Sequence, residues 1–346
     1  MRMWYLQLNR ILLYYSRKGD RCINKHRYYA VQWLVATITI LFISACHNQA
    51  FYRNDTAKLT SSDCRIVIHA MGEACVPLNP QKVVVLGGTE LDPVLMLEPN
   101  FIAGQPNTLT YIKEKLPNQW AQIEEIPSIG DDPNLEYLLL LKPDIILGHT
   151  SRVELIYDKL ARIAPTVLSN SEDWRAVFRL FAEALGKQDL AAQILNNYQI
   201  RLAEFKQKMG DRLQKLEVSA LNFRPTTISV YPSNSFCGSV LQEAGLRRPP
   251  AQEKYNASGA DWEISKESFR DMDGDIIFVF TWAGSLQERL KAKSTLQKLQ
   301  ADPLWSQLKA VKQGKVYDVG DYWLGVGPVT ANLILDDLFR YLLGST

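Results

Sequence analysis

From residue 64 onward, short apolar runs alternate with stretches whose apolar residues recur every three or four positions. CRIVIHAMGEACVP alternates around Met71-Gly72 and predicts a hairpin. KVVVLGG is a β-branched run ending in glycines, as expected of a buried parallel strand that meets a turn. TELDPVLML predicts a short helix and FIAGQ a second strand. PNLEYLLLLKPDIILGHT reads as helix, proline stop and strand, and RVELIYDKLARIAPTVLS repeats that order. This punctuation predicts a parallel α/β lobe over residues 64–170.

Residues 171–216 change rhythm. They are helical almost throughout, broken near Gly186, with Asp189 expected to cap the second part. That part carries Leu190, Ile194, Tyr198, Leu202 and Phe205 at a spacing near 3.6. The α/β alternation then resumes over residues 217–346. SALNF, TTISVYP, DIIFVFT and KVYDVG read as strands, and SFCGSVLQEAGL, DPLWSQLKAV and VTANLILDDLFRYLL as helices. The chain is thus two Rossmann-like α/β lobes around a long linking helix. A faint repeat relates the lobes: NLEYLLLLKPDIILG aligns with SKESFRDMDGDIIFVF, each predicted as a helix opened by a polar residue with an early Glu, then a D-I-I strand.

The start of the chain differs. VQWLVATITILFIS, residues 31–44, is shorter than the roughly 20 residues a membrane-spanning helix needs. It follows the basic segment KHR and ends in small residues, the order of an export signal. ISAC resembles the lipobox of bacterial lipoproteins. That resemblance implies a lipidated Cys46, a signal peptide over residues 1–45 and a polar tether over 46–63. Several acyl chains at one residue would anchor the protein to a membrane. An uncleaved N-terminal anchor is the alternative. Both readings export the rest of the chain into an oxidising space.

Net charge is +2, but seven basic residues against Asp20 put +6 before residue 31, leaving −4 for the remainder. No basic stripe interleaved with aromatics follows residue 50, which argues against nucleic acid as a partner. Of five cysteines, Cys64 and Cys75 flank the predicted turn with ten residues between them. They form either a disulfide or two free buried thiols. A turn at Met71-Gly72 would not set them directly opposite each other. Cys237 has no obvious partner. The four histidines show no metal-ligand spacing: His69 reads as structural and His149 stands alone past its strand. No resident metal or cofactor is expected. G-x-S-x-G, G-K-[ST] and G-x-G-x-x-G are all absent, so an enzyme, such as a lipoprotein hydrolase, is the weaker alternative.

HAMGEACVPLNPQKVVVLG, PNLEYLLLLKPDIIL, KLARIAPTV, FAEALGKQDLA, SFCGSVLQEAGL, DPLWSQLKAVKQGKVYDV and WLGVGPVTANLILDDL together resemble the substrate-binding proteins of bacterial ABC importers for iron–siderophore complexes, a group that also serves vitamin B12. The resemblance implies a ligand cleft between two lobes joined by a single long helix. It also implies a ferric siderophore as ligand, delivery to an inner-membrane ABC permease, and a monomer held by its lipid at the outer face of the cytoplasmic membrane. A cobalamin or haem binder of the same fold is the alternative. An oxygen-rich anionic ligand calls for aromatic walls and arginines. Trp262, Trp282, Trp323, Tyr231, Phe236 and Tyr322 lie at predicted strand ends or loops of the second lobe, and Arg224 sits at a strand end. Arg224, Trp282, Trp323, Tyr231 and Phe236, with Arg152 of the first lobe, are the expected ligand contacts. The family loop before PNLE is only GDD here and lacks the Arg it sometimes carries. By the same resemblance, Glu136 and Glu267 fall where one surface Glu on each lobe meets the permease.

Overall fold

The computed structural model describes residues 64–105, 127–130, 133–253, 262–263, 266–281 and 286–344. The expected signal peptide and tether, with Cys46, lie outside them, as does Trp282. Strands β1 (Cys64–His69) and β2 (Gly72–Pro77) form an antiparallel hairpin. The turn is Ala70-Met71, one residue earlier than expected, because Gly72, at φ +125°, already pairs with His69 as the first residue of β2. In this register Cys64 faces Pro77 and Ile66 faces Cys75. The cysteines are diagonal neighbours, 5.4 Å apart at Cα, and are joined as a disulfide.

Strand β3 (Lys82–Leu86) leads to helix α1 (Leu91–Leu95) and strand β4 (Phe101–Ala103). Helix α2 (Leu135–Leu141) then precedes β5 (Ile145–His149), which leads into the short helix α3 (Thr150–Val153) and later β6 (Thr166–Ser169). The four strands β3 to β6 form a parallel sheet in the order β4-β3-β5-β6. Val83, Val84, Val85 and Leu86 are all buried, as a strand covered on both faces requires.

Helix α4 (Trp174–Leu185) opens on Asp173, whose carboxylate accepts the Arg175 N–H, and ends at Gly186 in the left-handed conformation. Helix α5 (Gln188–Met209) joins the lobes. Its buried stripe is Ala191, Leu195, Tyr198, Leu202, Phe205 and Met209. Leu190 and Ile194, expected in the stripe, are only half-buried. The cap position is Lys187, without a side-chain bond, rather than Asp189. Asp189 instead sits in the first turn, where its charge complements the helix dipole.

The second lobe places β7 (Val218–Phe223), β8 (Ile228–Val230), helix α6 (Phe236–Glu243), β9 (Trp262–Glu263), β10 (Ile276–Thr281), helix α7 (Leu286–Gln300), β11 (Val316–Asp318) and helix α8 (Pro328–Leu343). The sheet order is β11-β10-β7-β8-β9; β10 and β11 run parallel to β7, whereas β8 and β9 form an antiparallel edge. The expected helix in SKESF is a 3-10 segment, Lys266–Met272. The one expected in DPLWSQLKAV breaks at Leu308. There the Asp273 carboxylate accepts the N–H groups of Lys309 and Ala310 and starts a new turn. One hydrophobic cluster runs through both lobes, from Val83 and Val85 through Phe181 and Tyr198 to Val218, Phe278 and Leu335.

Candidate functional site

In the first lobe the parallel sheet changes direction at β3, with β4 on one side and β5 on the other. The carboxyl ends of parallel strands at such a point leave a crevice in which ligands bind. In the second lobe only β10 runs parallel beside β7, and β8 returns antiparallel on its other side; the corresponding crevice end is formed by the carboxyl ends of β7 and β10.

At the first crevice β3 runs into Gly87, at φ +113°. A Cβ there would fall 2.1 Å from Glu90 Oε2, so the glycine lets the Glu90 carboxylate fold under the strand end. Glu90 is 7% exposed and accepts the Thr89 hydroxyl at 2.9 Å. Arg152, in α3, lies with Nε 4.0 Å from Glu90 Oε1. Its side chain is half exposed, with one flank against the buried Glu90. His149 Nδ1 accepts the Ser151 N–H and caps α3. A cavity of about 180 Å³ opens here, lined by Thr89, Glu90, His149, Arg152 and Trp174 and by Val326 of the second lobe. A second, of about 270 Å³, adjoins it through Ser151 and Arg152 and reaches Gly87, Gln105 and Gly130.

At the second crevice Arg224 follows Phe223, which pairs with Thr281 of β10. The Arg224 guanidinium reaches Tyr231 Oη at 3.5 Å, and Asn222 Nδ2 donates to the same oxygen at 3.4 Å. The Tyr231 ring lies 5.7 Å from that of Phe280. Phe236 is half-buried at the start of α6, edge-on to Trp174 at 6.4 Å. Beside it Arg175 lies over the Trp174 ring at 4.6 Å and pairs with Glu243 of α6. The Tyr198 hydroxyl donates to Glu243 as well, at 2.9 Å. Burial pushes that hydroxyl up to about 12, against the pull of Arg175, so it stays a neutral donor.

The structure therefore places Arg152 at one crevice and Arg224 with Tyr231 at the other, with Phe236 reaching Trp174 from the second lobe. Trp323 is a correction. It is fully buried, its indole N–H donates to Asp337 at 2.9 Å, and its ring lies 4.7 Å from Phe278 and 6.1 Å from Phe280. That is a core position, not a cleft wall. Tyr322 donates to the same carboxylate at 2.6 Å, and burial with the Asp337 charge raises its hydroxyl far above the ordinary range. Trp262 lies on the edge strand β9.

Glu136 is exposed in the first turn of α2, whose cap Asn134 accepts the N–H groups of Glu136 and Tyr137. Glu267 lies in the 3-10 segment that precedes β10. His69 is structural. Its Nδ1 accepts the N–H groups of Met71 and Leu168, and burial holds the ring below its ordinary range. Among the described residues, no three His, Cys, Asp or Glu side chains are grouped to hold a metal ion. Sequence reasoning missed Glu90 and Trp174. Glu90 had a signal, an acid just past a strand that ends in two glycines; Trp174 reads as an ordinary first-turn residue.

The family model described as "Periplasmic binding protein" matches residues 83–322. The chain is 33% identical over 327 residues to "Probable siderophore-binding lipoprotein YfiY" of Bacillus subtilis (strain 168), covering 89% of this chain and 96% of that one. It is 30% identical over 275 residues to the achromobactin-binding periplasmic protein of Dickeya dadantii (strain 3937), covering 75% and 86%. Among solved structures, Staphylococcus aureus SirA complexed with staphyloferrin B matches with a TM-score of 0.69 at 28% identity, over 81% of this chain and 98% of that chain. One family model thus runs from the first strand of the parallel sheet to the segment before the closing helix, across both crevices, and the chain belongs to the periplasmic binding protein family.

Proposed function

We propose that this protein binds a ferric siderophore between its lobes and delivers it to an inner-membrane ABC permease. The observation that carries the reading is the placement of Arg152 and Arg224 at the carboxyl-end crevices of the two sheets. Such complexes present iron already wrapped in an oxygen-rich, often anionic shell, and a guanidinium fork suits those oxygens. Aromatic surface from Tyr231 and Phe236 suits the organic part; Trp282, outside the described residues, is a further expected contact. The protein needs no catalytic group for this task; it is a binding protein and not an enzyme. Relatives named for siderophores and for ferric citrate support the ligand class.

Delivery has a geometric basis. Helix α2 and the 266–272 segment each lead into a parallel strand whose far end forms a crevice. A helix that runs back against its strand has its first turn at the crevice end. By that rule Glu136 sits at the crevice end of the first lobe, and Glu267 opens the corresponding segment of the second; one charge per lobe would orient the docking on a permease. Export, lipidation of Cys46 and anchoring at the outer face of the cytoplasmic membrane complete the reading, with the protein acting as a monomer.

The test is a titration of the protein lacking residues 1–46 with ferric catecholate, hydroxamate and citrate complexes, cobalamin and haem. Binding of at least one ferric complex with Kd below about 10 μM, about −7 kcal/mol, is expected. Binding of cobalamin or haem alone would overturn the siderophore reading.

A further inference from the structure

We propose that Asp92 is a positioning residue for ligand binding. Its carboxylate holds the first turn of α8, from the second lobe, against the crevice loop of the first lobe, and so sets the width of the cleft. This rests on the cleft being the ligand site.

Asp92 is the second residue of α1 and is 1% exposed. Its side chain leaves its own lobe. Oδ1 accepts the Val329 N–H at 3.0 Å, and Oδ2 accepts the Thr330 N–H at 3.0 Å and the Thr330 hydroxyl at 2.8 Å. The first N–H groups of any helix lack partners within it. In α8 the first residue is Pro328, which has no N–H, and the cap position is Gly327, which has no side chain. The helix therefore borrows its cap from the other lobe. Gly327 is also what admits that cap: a Cβ there would fall 2.3 Å from Asp92 Oδ1. A buried carboxylate is costly without partners. Here the helix dipole and three donors from one turn compensate it together.

The tie sits beside the cavity. Thr89 and Glu90 line it from the first lobe, three and two residues before Asp92. Val326 lines it from the second lobe, three residues before Val329. Movement of α8 against α1 would thus pass to both walls within a single turn of chain. Elsewhere α8 is held independently, by Arg201 of α5 pairing with Asn332 and Asp336 and by the shared core. Loss of the Asp92 contacts should therefore loosen the first turn of α8 while the fold survives.

Asp92→Asn tests this, because an amide keeps the shape but turns a donor toward one of the helix N–H groups. Two readouts are used well below the melting temperature. Spin labels at the exposed positions Ala161 and Gln297, one per lobe, report the interlobe distance without ligand. Titration with ferric citrate and a ferric catecholate complex reports affinity. The expected result is a broader, longer distance distribution with about tenfold weaker binding of whichever complex the parent binds. If the variant does not fold, Thr330→Val, which removes only the hydroxyl contact, should move both readouts the same way by a smaller amount. A lowered melting temperature with unchanged distance and affinity would mean that Asp92 only stabilises the fold, and would overturn the inference. Should the parent bind neither of these nor a ferric hydroxamate complex, the functional reading fails, and the distance measurement alone decides whether Asp92 sets the lobe spacing.

Discussion

Arg224 occupies a position where a long cation is costly unless something uses it: the first residue past a buried strand. Its guanidinium leans on the Tyr231 hydroxyl, which Asn222 also contacts, so the tyrosine helps to fix where the cation sits. A charge-assisted bond to an anionic oxygen contributes about 1.5–3 kcal/mol. Arg224→Ala should therefore weaken ferric-ligand binding about 10- to 100-fold in a fluorescence titration; an unchanged Kd would remove Arg224 from the site. A second residue gives a pH dependence. With Nδ1 of His69 accepting two N–H groups, the folded state holds the ring neutral. Burial lowers its pKa below the unfolded value of about 6.5, so the unfolded chain takes up the proton first and stability falls as pH drops below that value. His69→Gln should lower Tm at about pH 7.5, yet show a flatter decline than the parent between about pH 6.5 and 5. An equally steep decline would assign the acid sensitivity elsewhere. Arg224 was legible in the sequence because a charge at the end of an apolar run stands out. Trp323 was not, because its partner Asp337 lies 14 residues away and no pattern announces the pair.

At the scale of elements, the strands with β-branched runs were legible, as were the helix break at Gly186 and the long helix. What escaped has physical reasons. Among the described side chains of helix α7, LQERLKAKSTLQKLQ, only Ala292, Leu296 and Leu299 are buried, too thin a stripe to stand out among its charges. The antiparallel course of β8 depends on pairing with β7, which local composition does not encode. The hairpin was legible, but the disulfide depended on a register set by where Gly72 falls. That bridge closes a loop of 11 residues, worth about 2–3 kcal/mol in the loop-entropy model. The double variant Cys64→Ser/Cys75→Ser should lower Tm by roughly 5 °C. No change on thermal melting, with or without reductant, would mean that the hairpin stands without its bridge.

For the molecule as a whole, the shared hydrophobic core counts for more than the division into lobes. Because Val83 and Phe278 belong to one cluster, the lobes cannot separate without exposing it. Calorimetry on the leaderless protein should show a single transition with equal calorimetric and van't Hoff enthalpies; two resolved peaks would mean independent lobes. The same stiffness suits delivery, since docking charges work in concert only if their spacing is fixed. Reversing Glu136 and Glu267 to Arg together should leave folding and affinity near the parent's while iron uptake in cells collapses. Normal uptake by that variant would leave the docking assignment without support.

The borrowed cap also orders events in time. Asp92 and Thr330 are 238 residues apart, so a chain made from its amino end exposes the carboxylate long before its partner exists. Until residues 328–343 arrive, the tie between the two walls of the cleft is missing. On that inference a prematurely terminated copy, lacking α8, would hold its ligand less tightly than its full-length siblings.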